Sequence, residues 1–599
     1  MNKRRAYYAA AMLSAGALAL SACSSGNSDG GGGSGKSTSS GGGANGATAS
    51  VQSVTLGTAA DSTGPAPAVA GAKSGGTVHD LEASGVNHLD PAQAYVNQEQ
   101  VIGQLFSRQL TNYKIDAKTG KTVLVGDLAT DTGTSSDGGK TWTYHLKDGL
   151  KWQDGTPITS DQVKYGIERL FSSYETAGPQ YLQQWLTGSS SFRKVYPGPQ
   201  GGKSLPDSVI ATPDDKTVVF HFKAPHSDAP YAMALSGSGP ILKAKDTGPK
   251  YDTAPFSDGP YQIASYQAGK ALELVRNKNW DPKTDPIRNA YPDKWDIQLG
   301  VAQPGLTQRL EAQSGEDKDS LALVAPADPT QTSVIAGDPK YKSRLVSNYQ
   351  PFVDVFNINM TRVKDVKVRQ AIMYAFPMQQ VQTALGGPPQ GDLGTSLIGP
   401  TVQGFKSYDP YGKLTKPQGD PAKAKELLKE AGVTHLKLTY AFSNQPRWVT
   451  VATTLKNAFA KAGIDLQTKA IDSTAYYTLI GKVNNPYDLY RTGWGADWPN
   501  ASTVIPPTQD GRLVADNDPN YSHLNDPKVN SEIDRINAIA DPTQASSEWE
   551  KLAEYIMKND VPEIPYEYDK YYNVYGDGLG GVSYNTPLGT LSPNTVFVK

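Results

Sequence analysis

Thr141-Trp142-Thr143-Tyr144-His145-Leu146-Lys147-Asp148-Gly149 and, two residues on, Trp152-Gln153-Asp154-Gly155-Thr156-Pro157-Ile158-Thr159-Ser160-Asp161-Gln162-Val163 decide the fold class of this chain. Trp142, Tyr144 and Leu146 alternate with polar residues, the pattern of a half-buried strand, and Asp148-Gly149 closes it with a turn. The second run turns again at Asp154-Gly155 and starts a helix carrying Val163, Ile167 and Leu170. The same strand-and-helix alternation recurs downstream. Asp365 is an N-cap for a stripe of Val368, Ala371, Ile372 and Ala375. Asp420-Pro421 caps a helix with Ala424, Leu427, Leu428 and Ala431 inward, and Gly432 stops it. Val451, Leu455, Ala458, Phe459 and Ala462 form another helix, closed by Gly463, before Ile464-Asp465-Leu466-Gln467 restarts a strand. Upstream, Val101, Ile102, Leu105 and Phe106 share a helical face. Helix and strand in repeated alternation indicate α/β layers. No internal repeat is visible.

The bulk properties narrow the function. The chain has 599 residues, enough for about three or four domain-sized units. Its formal charge is −2, which gives no basic footprint for nucleic acid. The 32 tyrosines and nine tryptophans supply rigid amphipathic contact groups. A single cysteine, Cys23, excludes an internal disulfide and any cysteine-based metal cluster. The seven histidines are scattered; the closest pair, His221 and His226, has nothing nearby to complete a ligand set. There is no Gly-x-Ser-x-Gly, no His-Glu-x-x-His and no phosphate loop. Neither catalytic residues nor metal ligands nor a cofactor are therefore expected.

Residues 1–22 read as an export signal, with Lys3, Arg4 and Arg5 ahead of a short apolar run from Ala9 to Leu20. The run ends Leu20-Ser21-Ala22-Cys23, which resembles the bacterial lipoprotein cleavage box. That resemblance implies a lipid-modified Cys23 at the mature N-terminus; the plainer alternative is a secreted protein that keeps one cysteine near the cut. Residues 23–75 carry few apolar side chains and read as a disordered Gly/Ser-rich tether, with a reach of roughly 40 Å.

A second stretch points to a ligand. Tyr487 to Thr492 reads as a short strand, followed by Gly493 and Gly495, whose bare backbone admits close approach. Asp497 follows between Trp494 and Trp498, ahead of Pro499-Asn500. One cation at Arg491, one anion at Asp497 and two indoles suit a zwitterion with apolar side groups. The same residues also suit a strand end with a turn-capping Asp497, two core tryptophans and an Arg491 paired within its sheet.

The runs Tyr144 to Gly149 and Trp152 to Val163 are similar to the most diagnostic motif of the extracytoplasmic solute-binding proteins of peptide-type ABC importers, family 5, the oligopeptide and dipeptide binders. Further landmarks follow in the family's order: Ser257-Asp258-Gly259-Pro260-Tyr261, Leu272 to Asn277 with Asn279-Trp280, Phe356-Asn357-Ile358-Asn359, and Asp365 to Ile372. Pro377 departs from the pattern, where an Asp is usual. The resemblance covers roughly residues 76–599. It implies an α/β, two-lobed periplasmic-binding-protein-like fold (type II, cluster C) with an extra subdomain on the N-terminal lobe. The implied divisions are lobe I at 76–115, 225–353 and 569–599, the extra subdomain at 116–224, and a ligand-contacting lobe II at 354–568. Asn357 and Asn359 would lie near the interdomain crossover.

Arg491-Thr492-Gly493-Trp494-Gly495-Ala496-Asp497 matches the oligopeptide branch residue by residue. The resemblance gives Asp497 the peptide α-ammonium and Arg491 the C-terminal carboxylate of short peptides, with the Gly493 to Gly495 backbone pairing with the peptide as an added strand. It implies a monomer anchored by lipid on the outer face of a bacterial, Gram-positive cell membrane. Such a protein would close around a ligand and deliver it to importer permease subunits, the ATPase being a separate chain. Within the same fold an oligosaccharide is the alternative ligand, with Trp494 and Trp498 as stacking surfaces. A secreted hydrolase is the competitor from another class.

Overall fold

The computed structural model describes residues 54–115, 121–539 and 541–599. The expected export signal, Cys23 and most of the expected tether lie outside those residues. No helix among the described residues is long and apolar enough to cross a membrane.

The tether expected up to residue 75 ends earlier. Thr55–Leu56 pairs in parallel with Thr122–Gly126, and Val54 and Ala66 are buried. A short apolar run, Val54 and Leu56 around Thr55, is enough to add an edge strand once a neighbouring sheet supplies the partner. Composition averaged over the whole segment hid it.

The N-terminal half forms two packed units. Lobe I is built on a five-stranded sheet in the order Ser320–Leu321, Thr77–Leu81, Lys294–Gln298, Ala271–Arg276 and Tyr261–Gln267. Helix Asn97–Gly103 and the turn after it bury Val101, Ile102, Leu105 and Phe106 in the same core as Trp295 and Leu274. The extra subdomain contains the diagnostic strand Thr141–His145, which pairs with Thr217–His221, and the helix Ser160–Arg169. Trp142, Tyr144, Leu146, Val163, Ile167 and Leu170 all enter its core. Trp152 is buried there too, and its Nε1 donates to Gln162 Oε1 (2.8 Å), tying the turn to the helix that follows. This core reaches beyond the expected 116–224: it takes in Val54, Leu110 and Tyr113 and runs on to Leu235. A buried ion network, Arg108 Nε to Asp127 (2.8 Å) and Arg288 to Asp127 and Asp285 (2.9 and 3.1 Å), ties it to lobe I.

Lobe II is a six-stranded sheet. We label its strands β1 (Leu345–Ile358), β2 (Leu436–Ser443), β3 (Leu489–Gly495) and β4 (Glu563–Val574); Gly391–Leu393 lies outside β4 and Ile464–Ile471 outside β2. The order is Gly391–Leu393, β4, β1, β3, β2, Ile464–Ile471. Helices Val366–Ala375, Pro421–Glu430 and Pro446–Lys461 cover it; the caps at Asp365 and Asp420 and the stops at Gly432 and Gly463 fall where expected, while the third helix begins five residues ahead of the Val451 stripe. Asp365 and Asp420 accept from the Lys367 and Lys423 amides (2.7 and 3.0 Å). Gly432 and Gly463 take left-handed φ values of 70° and 77° just past the helix ends. Pro377 stands ahead of helix Met378–Ala384 without interrupting the layer.

Strands β1 and β4 are the long elements that cross from one lobe to the other. They pair antiparallel from Leu345↔Val574 at the lobe I end to Asn357↔Glu563 in lobe II. The register slips between Tyr349↔Lys570 and Val353↔Tyr568, so residues 350–352 bulge opposite one residue of β4. Pro351 sits in the bulge and has no N–H to give to a ladder. The expected lobe boundaries, 353/354 and 568/569, both fall inside these strands.

Candidate ligand cleft

Strand β3 carries the residues singled out from sequence, and it runs through the glycines rather than ending at Thr492. Its pairing with β1 ends at Phe352↔Gly495, and the Ala496 amide then donates to Pro351 O (3.2 Å). The stretch Gly495-Ala496-Asp497 is thereby pinned beside the interlobe bulge. On its other side β3 meets β2 only at Tyr440↔Leu489 and Ala441↔Tyr490. Tyr476 Oη takes the place of a strand at Arg491, accepting from its amide (3.1 Å) and donating to its carbonyl (2.9 Å). Backbone groups two residues apart point the same way in an antiparallel strand. The N–H and C=O of Gly493 and Gly495 therefore face that same edge, which no strand covers among the described residues.

The two glycines are not bare on their faces. A Cβ at Gly493 would come within 2.4 Å of Asp354 Oδ1, and one at Gly495 within 2.6 Å of the Phe352 ring. Their small size admits side chains of β1, while their edge stays open.

Asp497 is half-buried where the two halves of the molecule meet. Its Oδ2 accepts from Tyr95 Oη of lobe I (3.0 Å) and from Tyr181 Oη of the extra subdomain, and its amide donates to Thr503 Oγ1 (3.2 Å). Burial pushes its carboxyl up to about 6, and the two phenols only partly offset this. Both phenols are shifted upward by burial and by Asp497, so they remain protonated donors. Among the described residues no lysine or arginine pairs with Asp497.

The two tryptophans part company. Trp498 is 1 % exposed and belongs to the apolar core of the extra subdomain, edge-on to Tyr181 (4.6 Å) and Trp185 (6.2 Å). Trp494 is half-buried and donates from Nε1 to Thr503 O (2.7 Å). Both touch a cleft of about 1110 Å³ walled by residues 176–185 and 224–228 on one side and 494–549 on the other. Trp185 stacks on His226 in that wall (4.0 Å, 13°), and burial lowers the imidazole to about 4, leaving a neutral ring at pH 7. The Ser502 hydroxyl bridges the walls to Asp228 Oδ2 (2.9 Å).

Arg491 points elsewhere. Its guanidinium pairs with Asp354 of β1 and lies 5.0 Å over the Trp448 ring, while Tyr566 Oη donates to the other Asp354 oxygen (2.8 Å). Glu567 and Asp569 on β4 complete a group of three carboxylates whose nearest oxygens lie within 4.8 Å of one another. Burial, followed by mutual repulsion, raises Glu567 and Asp569 well above the usual carboxylate range. The expected role of Arg491 would require it to leave Asp354.

Tyr95, Tyr181, Trp185 and Asp228 were invisible to sequence reasoning. Tyr95 and Tyr181 lie 402 and 316 positions from Asp497, and nothing local distinguishes them from the other tyrosines.

Residues 123–512 match the model of the bacterial extracellular solute-binding proteins, family 5. That match spans well over half of the chain, and the chain belongs to this family. It is 25% identical over 508 residues to the probable D,D-dipeptide-binding periplasmic protein DdpA of Escherichia coli, covering 81% of this chain and 87% of the relative. The periplasmic oligopeptide-binding protein OppA of Salmonella typhimurium is 24% identical, with 77% and 82% covered. Among solved structures, the clavulanic acid biosynthesis oligopeptide binding protein 2 superposes with a TM-score of 0.81 at 29% identity, covering 91% of this chain and 99% of the other. The two-lobed architecture with its extra subdomain is the fold of these proteins.

Proposed function

We propose that this protein captures an oligopeptide between its lobes and delivers it to the permease subunits of an ABC importer. The observation that carries the reading is the open edge of β3, which ends at Gly495, two residues before Asp497, beside the interlobe bulge. An extended peptide laid along Gly493 to Gly495 would gain main-chain hydrogen bonds that do not depend on its sequence. Its α-ammonium would take the position at Asp497 that no cation among the described residues fills. The neighbouring cleft, which meets that edge at Trp494, holds about 1110 Å³, just above the usual size of small-ligand sites, and suits several residues of peptide. The relatives named for dipeptide or oligopeptide binding support the same ligand class.

Thermal shift and calorimetry with a mixed peptide library test this. Saturating peptide at 100 times its dissociation constant should stabilise the protein by ~2.7 kcal/mol. Binding of an oligosaccharide and of no peptide would overturn it. Closure is part of the reading, with the bulge at 350–352 as the flexing point; an unchanged radius of gyration on tight binding would count against it. Anchoring is the remaining part: Cys23→Ser should release the protein from membranes, and continued retention would exclude lipid attachment.

A further inference from the structure

The charged groups of the cleft are unevenly matched. Arg512 is its one cation among the described residues, and it bridges Asp510 (2.7 Å) and Asp534 (2.6 Å). Lys482 neutralises Asp516 on the rim (2.9 Å). Asp518 and Asp228 have no cationic partner: Asp518 accepts from the Asn520 amide (2.9 Å) and Asp228 from the Ser502 hydroxyl. Asp497, held by two phenols, lies outside this lining, on a small separate pocket with Gln100, Tyr113 and Tyr231. With every group ionised, the walls keep about three uncompensated negative charges, one shared by Asp510 and Asp534 and one each on Asp518 and Asp228. Arg491, the other cation of the ligand stretch, is taken up by Asp354.

From this imbalance we infer that the cleft selects cationic peptides, with Asp518 and Asp228 receiving lysine or arginine side chains from opposite walls and no cationic residue clamping the peptide carboxylate. The inference rests on the peptide-binding reading and adds a substrate class to it. Clefts lined by one sign of charge concentrate ligands of the other sign and reject like-charged ones. Burial raises Asp518 to about 6 and also pushes Asp228 up, as for acids lacking a counter-charge within the chain. The Trp185–His226 stack and Tyr521 line the same space and offer ring faces to a guanidinium or ammonium.

The test uses three pentapeptides that differ only at their second and fourth positions, Ala-Lys-Ala-Lys-Ala, Ala-Gln-Ala-Gln-Ala and Ala-Glu-Ala-Glu-Ala, titrated into the full chain by calorimetry. The lysine peptide should bind about tenfold tighter than the glutamine peptide, and the glutamate peptide about tenfold weaker than it. High salt should narrow both gaps. The double variant Asp228→Asn, Asp518→Asn should bring the lysine-to-glutamine ratio close to one, with an unchanged melting midpoint showing that it folds. Amidating the lysine peptide at its C-terminus should cost less than about threefold. A lysine peptide no tighter than its glutamate counterpart overturns the charge inference and leaves peptide capture standing. A ratio that survives in the double variant overturns the assignment to these two carboxylates, and a large loss on amidation overturns the absence of a carboxylate clamp. Failure of all three peptides to bind removes the peptide reading and this inference together.

Discussion

Asp497 and Arg491 stand six residues apart on one stretch of chain, carry opposite charges, and were read from sequence as two ends of one site. Their surroundings have opposite character. Arg491 finds its counter-charge inside lobe II, on the adjacent strand, with Trp448 beneath it. Asp497 finds no cation among the described residues and is met by hydroxyls that come from the other half of the molecule. A charge neutralised within its own rigid layer serves that layer. A charge left without a counter-charge at the junction of the two lobes is available to a ligand.

The contrast can be broken first at Asp497. Asp497→Asn keeps the shape and removes the charge, and should cost ~2–5 kcal/mol of affinity for a peptide with a free N-terminus. That is roughly thirty- to several-thousandfold. Acetylating the peptide should cost the wild type a similar amount and the variant little more. Equal binding of free and acetylated peptides by both proteins would exclude an ammonium at Asp497.

Arg491→Ala should show the opposite balance. It leaves Asp354 buried with only Tyr566 as partner, at a cost of about 2–3 kcal/mol in unfolding free energy, while peptide affinity moves less than about threefold. Chemical denaturation and calorimetry on the same variant separate the two effects. A large affinity loss with intact stability would return Arg491 to the site.

Acidity sharpens the comparison further. Asp497 holds its proton up to about pH 6 in the folded protein against 3.8 for an ordinary aspartate. Between those values the folded state binds more protons than the unfolded one, so this group adds stability to the free protein as pH falls from 7 towards 4. Cation binding runs the other way, because it needs the ionised form. Affinity should drop roughly tenfold from pH 7 to pH 5, and Asp497→Asn should flatten that dependence. The smallest effect is expected for Tyr181→Phe. Losing one donor to Asp497 should cost about 1 kcal/mol of free-protein stability and move the midpoint of the affinity–pH curve upward. A midpoint that does not move would mean that Tyr181 is not a working partner of Asp497.

Much of the architecture was legible wherever neighbours along the chain set the answer. The stripes Val101 to Phe106 and Val451 to Phe459 are buried as their spacing requires, and Asp365, Asp420, Gly432 and Gly463 cap or stop helices by local geometry alone. Reading failed where an average or a short range was the wrong measure. Composition made residues 54–75 a tether, yet Thr55–Leu56 adds to a sheet because a partner strand is close by. The glycines were read as exposed backbone, whereas their faces are filled by Asp354 and Phe352 and only their edge is open. Trp494 and Trp498 looked equivalent, and one of them is core of the extra subdomain.

The sequence by itself determined the α/β alternation, the membership of the solute-binding family, and the stretch proposed to meet the ligand. These depend on periodicities and motifs contained within a few tens of residues. Which charge of that stretch stays unsatisfied was decided by tertiary structure alone. Arg491 meets Asp354 across 137 positions, and Asp497 meets Tyr95 and Tyr181 across 402 and 316. Pairing of charges is a property of distance in space, and only the folded arrangement of β1, β3 and the two lobes sets those distances.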